Sequence, residues 1–267
     1  MFIPSAPFGG YAGYKLFERT YERQFDAFLK TPETRRDIAY FREKVRDLLS
    51  ADQIIADRRI LTVALGAFGL ETEISKKAII RRILEESPSS PDSFAFRLND
   101  SRWRAFAQAF SFANGPPPFA ASAFQERITQ RYAERAFERA VGEVDANLRL
   151  ALNFRREIQS IAAGPNADKI GWLQILGQEP LRRVVEDAFG LPRSLARLDV
   201  NRQRAILEQK AQSLFGGSSP AVFKEQANVE IILRRFFLSP STTDGAAQSS
   251  RSAAALALLS ERRSSAV

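Results

Sequence analysis

Arg127, Arg131, Arg135 and Arg139 stand four residues apart, in a stretch whose apolar residues Phe124, Ile128, Tyr132 and Ala136 keep the same step. On a helix each row occupies one face. Guanidinium groups at this spacing repel one another mildly. A partner bearing carboxylates or phosphates would relieve that repulsion, which makes the stripe the candidate partner-binding surface. Glu134, Glu138 and Glu143 lie close enough to neutralise much of the charge, so an ordinary solvated helix face competes with this reading.

Other chemistries are narrow. The chain has no His and no Cys, which removes a thiolate nucleophile, a Ser–His–Asp triad, a disulfide and the usual zinc ligand sets. The carboxylate pairs Glu71/Glu73, Glu85/Glu86 and Glu186/Asp187 have basic neighbours near expected helix ends, and nothing in the pattern drives their pKa values apart as acid–base work requires. The expectation is therefore a non-enzyme, with no catalytic residue, no metal site and no cofactor. A net charge of +8 suggests a polyanion first, but its placement argues otherwise. Residues 1–118 hold 18 basic and 15 acidic side chains, 119–238 hold 18 and 14, and the remainder 3 and 2. The excess is spread evenly, with no basic arm, and no DNA- or RNA-reading module is recognisable.

The elements that must position these groups read as helices throughout. Tyr14, Phe17, Tyr21, Phe25 and Phe28 form an aromatic stripe, continued after Pro32 by Ile38, Phe41, Val45 and Leu48. Ser50 and Gln53 have capping-box spacing, and the helix they open carries Ile54, Leu61, Leu65 and Phe68 on one face. Thr72 is the expected cap of the next helix. Ser90 and Pro91 are expected to begin another, which carries Trp103, Phe106, Ala107 and Phe110. Arginine pairs recur along the chain, including Arg35–Arg36, and most read as solvated faces; Arg81 and Arg82 are set to pair with Glu85 and Glu86, and Arg182 and Arg183 with Glu186 and Asp187.

The string Ala-Phe-Gly-Leu occurs twice, at 67–70 and 188–191. A glycine after a good helical run supplies the positive φ of a left-handed C-cap, and the next leucine folds back on the last turn. Gly69 and Gly190 are thus expected as structural helix stops. A phosphate-binding loop would need more glycines and a preceding strand. Two further pairs keep the same order: YFREKV (40–45) with NFRREI (153–158), and SSPDSF (89–94) with SSPAVF (218–223). Together they predict an all-α fold of about ten helices in two related halves, a diverged tandem duplication packed as one compact unit. The N-terminal helical half is placed at 1–115, a Pro-rich linker at 116–123, and the C-terminal half at 124–238. A polar tail follows at 239–267, with a short helix at 253–263.

No run approaches the roughly 18 apolar residues of a membrane span, and the opening residues lack the basic start and unbroken apolar stretch of a secretory signal. The expectation is a soluble, cytoplasmic protein.

Longer strings carry a resemblance. GYAGYKLFERT, RRDIAYFREKV, SADQIIADRRILTVALGAFGLE, AIIRRILEE, FAFRLNDSRW and AFSF follow in order, then RLALNFRREI, WLQILGQEPLRRVVEDAFGLP and LDVNRQ. This succession, from about residue 9 to about residue 238, resembles the alphaproteobacterial domain-of-unknown-function family DUF1217. The resemblance implies an all-helical fold with no established catalytic residues, and members often encoded among flagellar genes. It therefore implies a flagellum-associated protein–protein interaction factor, with a flagellar component as partner. The alternatives are a basic helical protein that binds a polyanion or nucleic acid, and an enzyme working without His or Cys.

Overall fold

The Ser50 hydroxyl accepts from the Gln53 amide at 3.4 Å, and Gln53 Oε1 accepts from the Ser50 amide at 3.2 Å. This is the reciprocal capping box its spacing predicts. The helix it opens is shorter than expected. Asp57 leaves helical geometry (φ −89°, ψ 100°), and its carboxylate accepts from the amides of Arg59 and Ile60. One expected helix becomes two, α3 (Ala51–Ala56) and α4 (Arg58–Gly66). Ile54, Leu61, Leu65 and Phe68 are buried on both sides of the break, so the apolar step alone does not reveal it.

Residues 2–98 and 100–240 are described by the computed structural model. Among them lie thirteen α-helices and four short 3-10 turns, with no strand. Before α3 come α1 (Gly10–Leu29) and α2 (Pro32–Lys44); Thr31 caps α2 and Pro32 takes its first position, where a missing amide costs nothing. After α4 come α5 (Lys77–Glu85), the single turn α6 (Phe94–Arg97) and α7 (Ser101–Phe110). Two expected starts are displaced. Residues 71–73 form a 3-10 turn and α5 begins at Lys77, so Thr72 does not cap it. Ser90 and Pro91 lie in a turn, and Ser93 caps α6 by accepting from the Phe96 amide. The chain continues through α8 (Ser122–Val144), α9 (Ala146–Ala163), α10 (Ala167–Leu176), α11 (Glu179–Phe189), α12 (Val200–Phe215) and α13 (Gln226–Phe237). The short helix expected at 253–263 falls outside the described residues.

Two compact units emerge, divided elsewhere than at 116–123. One consists mainly of residues 22–140, so it contains α2 to α7 and most of α8. Its core centres on α4, buried nearly throughout and packed against α2 and α3. The Pro-rich stretch belongs to this core: Phe119 is buried, with its ring against Phe110, Phe112 and Phe124. Three prolines break the helix, as their chemistry requires, yet the break packs as core rather than as a spacer.

The other unit joins residues 3–21 to residues 141–240. In it α11 packs against α9 and α13. Trp172 of α10 packs on Phe189 of α11 and on the buried Phe223, which also meets Phe154 of α9, and the Trp172 indole donates to the Ser218 carbonyl at 2.7 Å. Tyr14 of α1 stacks on Phe237 with ring centroids 5.0 Å apart.

Candidate functional site

Gly69 and Gly190 both have positive φ, +70° and +66°. Each ends its helix with the same two bonds. The Leu70 amide reaches the Leu65 carbonyl at 3.0 Å and the Gly69 amide the Gly66 carbonyl at 3.1 Å. In the second turn, Leu191 reaches Glu186 at 2.8 Å and Gly190 reaches Asp187 at 3.2 Å. These are Schellman motifs. An arginine from a later helix completes each turn: Arg102 donates to the Gly69 carbonyl at 2.8 Å, and Arg235 to the Ala188 carbonyl at 2.7 Å.

The arginine stripe of α8 runs beside the first of these turns. Arg131 lies over the Phe68 ring, 5.6 Å from its centroid, and Arg139 pairs with Glu71 at 3.1 Å. Arg135 sits so close that a β-carbon at Gly69 would come within 2.7 Å of its guanidinium. Arg127 lies 5.3 Å from the centroid of Phe124 on its own helix. Arg131 and Arg135 thus pack on the Ala-Phe-Gly-Leu turn and Arg139 on the residue after it, whereas Arg127 stays with its own helix.

Most of the paired carboxylates are likewise engaged. Glu73 pairs with Lys76 and Glu86 with Arg82, whereas Arg81 reaches Asp52 instead of Glu85. Glu186 and Asp187 are buried within a ring of Arg182, Arg183 and Arg193. Arg193 bonds Asp187 at 3.1 Å, while the arginines about Glu186 stand off at 3.7 and 3.8 Å. Burial pushes the Glu186 carboxyl above its ordinary range against the pull of Arg182 and Arg193.

Arg155, on α9, is neutralised from two other helices. It donates to the buried Tyr14 hydroxyl at 3.0 Å, bonds Glu18 of α1 and lies 3.5 Å from Glu230 of α13; Lys15 also bonds both glutamates. Burial raises the Glu18 carboxyl, but its bonds from Lys15 and Arg155 together outweigh this and hold it below the usual carboxylate range. Burial raises the Tyr14 hydroxyl above the tyrosine range.

Arg42 occupies the corresponding place in the matched string YFREKV and meets a different environment. It donates to Thr129 Oγ1 of α8 at 3.1 Å, and among the described residues no carboxylate lies within ion-pair distance of Arg42 or Arg35. Both arginines line an open groove of about 420 Å³ between α2 and α8, with Ile38, Ala39, Gln130 and Ala133 along it and Leu29 at one end. A bond from the Tyr132 hydroxyl to Asp37, 3.0 Å, ties α2 to α8 beside it. Arg35, Ile38, Ala39 and Arg42 share one face of α2 by their 3, 4 and 7 spacing. That spacing was available in the sequence; the pairing of α2 with α8, which turns the face into a groove wall, was not.

Fold and groove define an all-helical protein with an arginine-lined trough and no described helix long and apolar enough to cross a membrane. A family model described as "Protein of unknown function (DUF1217)" matches residues 67–226, and the chain belongs to that family. The X-ray crystal structure of protein AGR_C_984 from Agrobacterium tumefaciens is similar to it: 28% sequence identity and a TM-score of 0.69, covering 88% of this chain and 96% of that one. No curated protein matches the chain.

Proposed function

We propose that this is a non-enzymatic helical protein that binds another protein, acting in the cytoplasm in the assembly or motor of the bacterial flagellum. The observation that carries the binding reading is the arginine face of α2, presented on an open groove where no carboxylate among the described residues pairs with it. Most of the carboxylates that could have served as acid and base are held in ion pairs, with Arg139, Lys76, Arg82 and Arg193. The flagellar part rests on the gene setting that the family resemblance implies, which is an association and not a physical warrant. Affinity capture from motile cells, together with a deletion strain, tests it. Recovery of identified flagellar components and loss of swimming support the reading; a deletion strain that swims normally, with no flagellar component recovered, ends it.

We also propose that the chain is a diverged tandem duplication. The element order supports this: α1, α2, 3-10 turn, α3, α4, 3-10 turn, α5, α6, α7 is followed by α8, α9, α10, α11, 3-10 turn, α12, a Ser219-capped 3-10 turn and α13, with the 3-10 turn Val45–Asp47 left without a counterpart. The two Schellman turns match, and each accepts from an arginine of a later helix, though at different carbonyls, Gly69 from Arg102 and Ala188 from Arg235. Superposition of α2–α7 on α9–α13 checks it, and paired helices that fail to overlay in order refute it.

A further inference from the structure

Arg155 shows what neutralises an arginine of this string when a partner is present: glutamates offered by two other helices, Glu18 from α1 and Glu230 from α13. Arg42 holds the matching position and, among the described residues, bonds the Thr129 hydroxyl and no carboxylate. The groove beside it is open, with Arg35, Ala39, Arg42 and Gln130 exposed. A drug-sized molecule needs roughly 70–90% of its surface buried, and a trough of this kind does not enclose one. A helix laid along it would be gripped from one side, as helix-in-groove recognition requires. Arg35 and Arg42 stand two turns apart, about 10.5 Å along the axis, and glutamates seven residues apart on a partner helix span the same distance.

We infer that the α2–α8 groove binds an acidic amphipathic helix of a partner protein, its glutamates pairing with Arg35 and Arg42 and its small apolar residues lying over Ile38 and Ala39. The inference deepens the protein-binding reading and rests on it, but not on the flagellar assignment.

The test uses the full-length protein and a labelled, alanine-rich helical peptide whose two glutamates are spaced as Arg35 and Arg42 are, with leucine between them. Fluorescence anisotropy should show saturable binding that weakens about tenfold or more in R35E/R42E, as removal of paired interfacial charge does. Binding should be lost in A39W, whose indole fills the trough from an exposed helix position, and should persist in R127E/R131E. Circular dichroism and melting temperature verify that each variant is folded. The inference is overturned if the native chain does not bind the peptide, if R35E/R42E or A39W binds it normally while folded, or if R127E/R131E loses as much as R35E/R42E. It is equally overturned if single-stranded nucleic acid or anionic vesicles, rather than the peptide, are what R35E/R42E ceases to bind.

The deletion strain separates the two readings. A native chain that does not bind the peptide, beside a non-swimming deletion, keeps the flagellar function and overturns the groove. Peptide binding that behaves as expected, beside a deletion strain that swims, keeps the groove and ends the flagellar reading.

Discussion

Arg155 and Glu186 illustrate opposite consequences of burying a charge. Arg155 ties together Tyr14, Glu18 and Glu230; replacing it with Met leaves those acceptors under-satisfied and should cost roughly 2 kcal/mol, within the range for hydrogen bonds to charged groups, read from urea unfolding. The Glu18 carboxyl is held low, so its contribution is complete above the unfolded pKa and fades as pH falls through the folded value. Glu186, 3% exposed, has one carboxylate oxygen without a hydrogen-bond partner among the described residues, and its pKa is raised by burial. In the folded state it holds its proton to higher pH than in the unfolded chain. Stability therefore declines as pH rises from the unfolded value through the raised one. E186Q should flatten this decline: measured against pH from acid to neutral, its urea midpoint should gain on the native protein's, and a parallel course would contradict the assignment. None of this was legible in the sequence, where Glu186/Asp187 looked like any other acidic pair. Burial depth comes from the way α11 packs against α9 and α13, which the residue pattern of α11 alone does not contain.

Helix ends were more legible than helix joints. The Ser50 capping box and the stops at Gly69 and Gly190 are local chemistry: one side chain or one positive φ satisfies groups within five residues. Asp57 is also local, yet it was masked because its apolar neighbours on α3 and α4 keep a single buried face across the joint. Asp57→Ala should remove the cap of α4 and the 2.7 Å acceptor of the Tyr40 hydroxyl. The expected loss is about 1–2 kcal/mol, or roughly 2–4 °C of melting temperature per kcal/mol in a chain of this size. Gly190→Ala should cost about 1–2 kcal/mol through left-handed geometry alone, because a β-carbon there meets nothing. Gly69→Ala carries the same strain and must also displace Arg135, so it should melt below Gly190→Ala; the reverse order would show that the guanidinium yields without cost. The groove was half legible: α2's arginine face is written in its 3, 4, 7 spacing, while its facing helix comes from across the Pro-rich break.

At the scale of the molecule, the two units do not coincide with the two stretches of chain that the repeated strings delimit. Residues 10–21 of α1 join α9 to α13, and residues 122–140 of α8 join α2 to α7. If the halves are duplicates, each unit is closed by the leading helix of the other half. Phe17, fully buried in the second unit, should therefore behave as core even though it lies near the beginning of the chain. Phe17→Ala should destabilise by about 3–5 kcal/mol, with hydrogen exchange accelerating first in α9 and α13. Exchange that accelerates in α2 to α7 instead would place Phe17 with the wrong unit.

The bond between Tyr14 and Glu230 joins residues 216 positions apart. A ribosome adding roughly 5–20 residues per second needs on the order of 10–40 s to cover that interval. Throughout it the face of α1 that meets α13 has been made and α13 has not. That face stays uncovered in the nascent chain until α13 emerges, and slowed translation over the interval should favour aggregation through it.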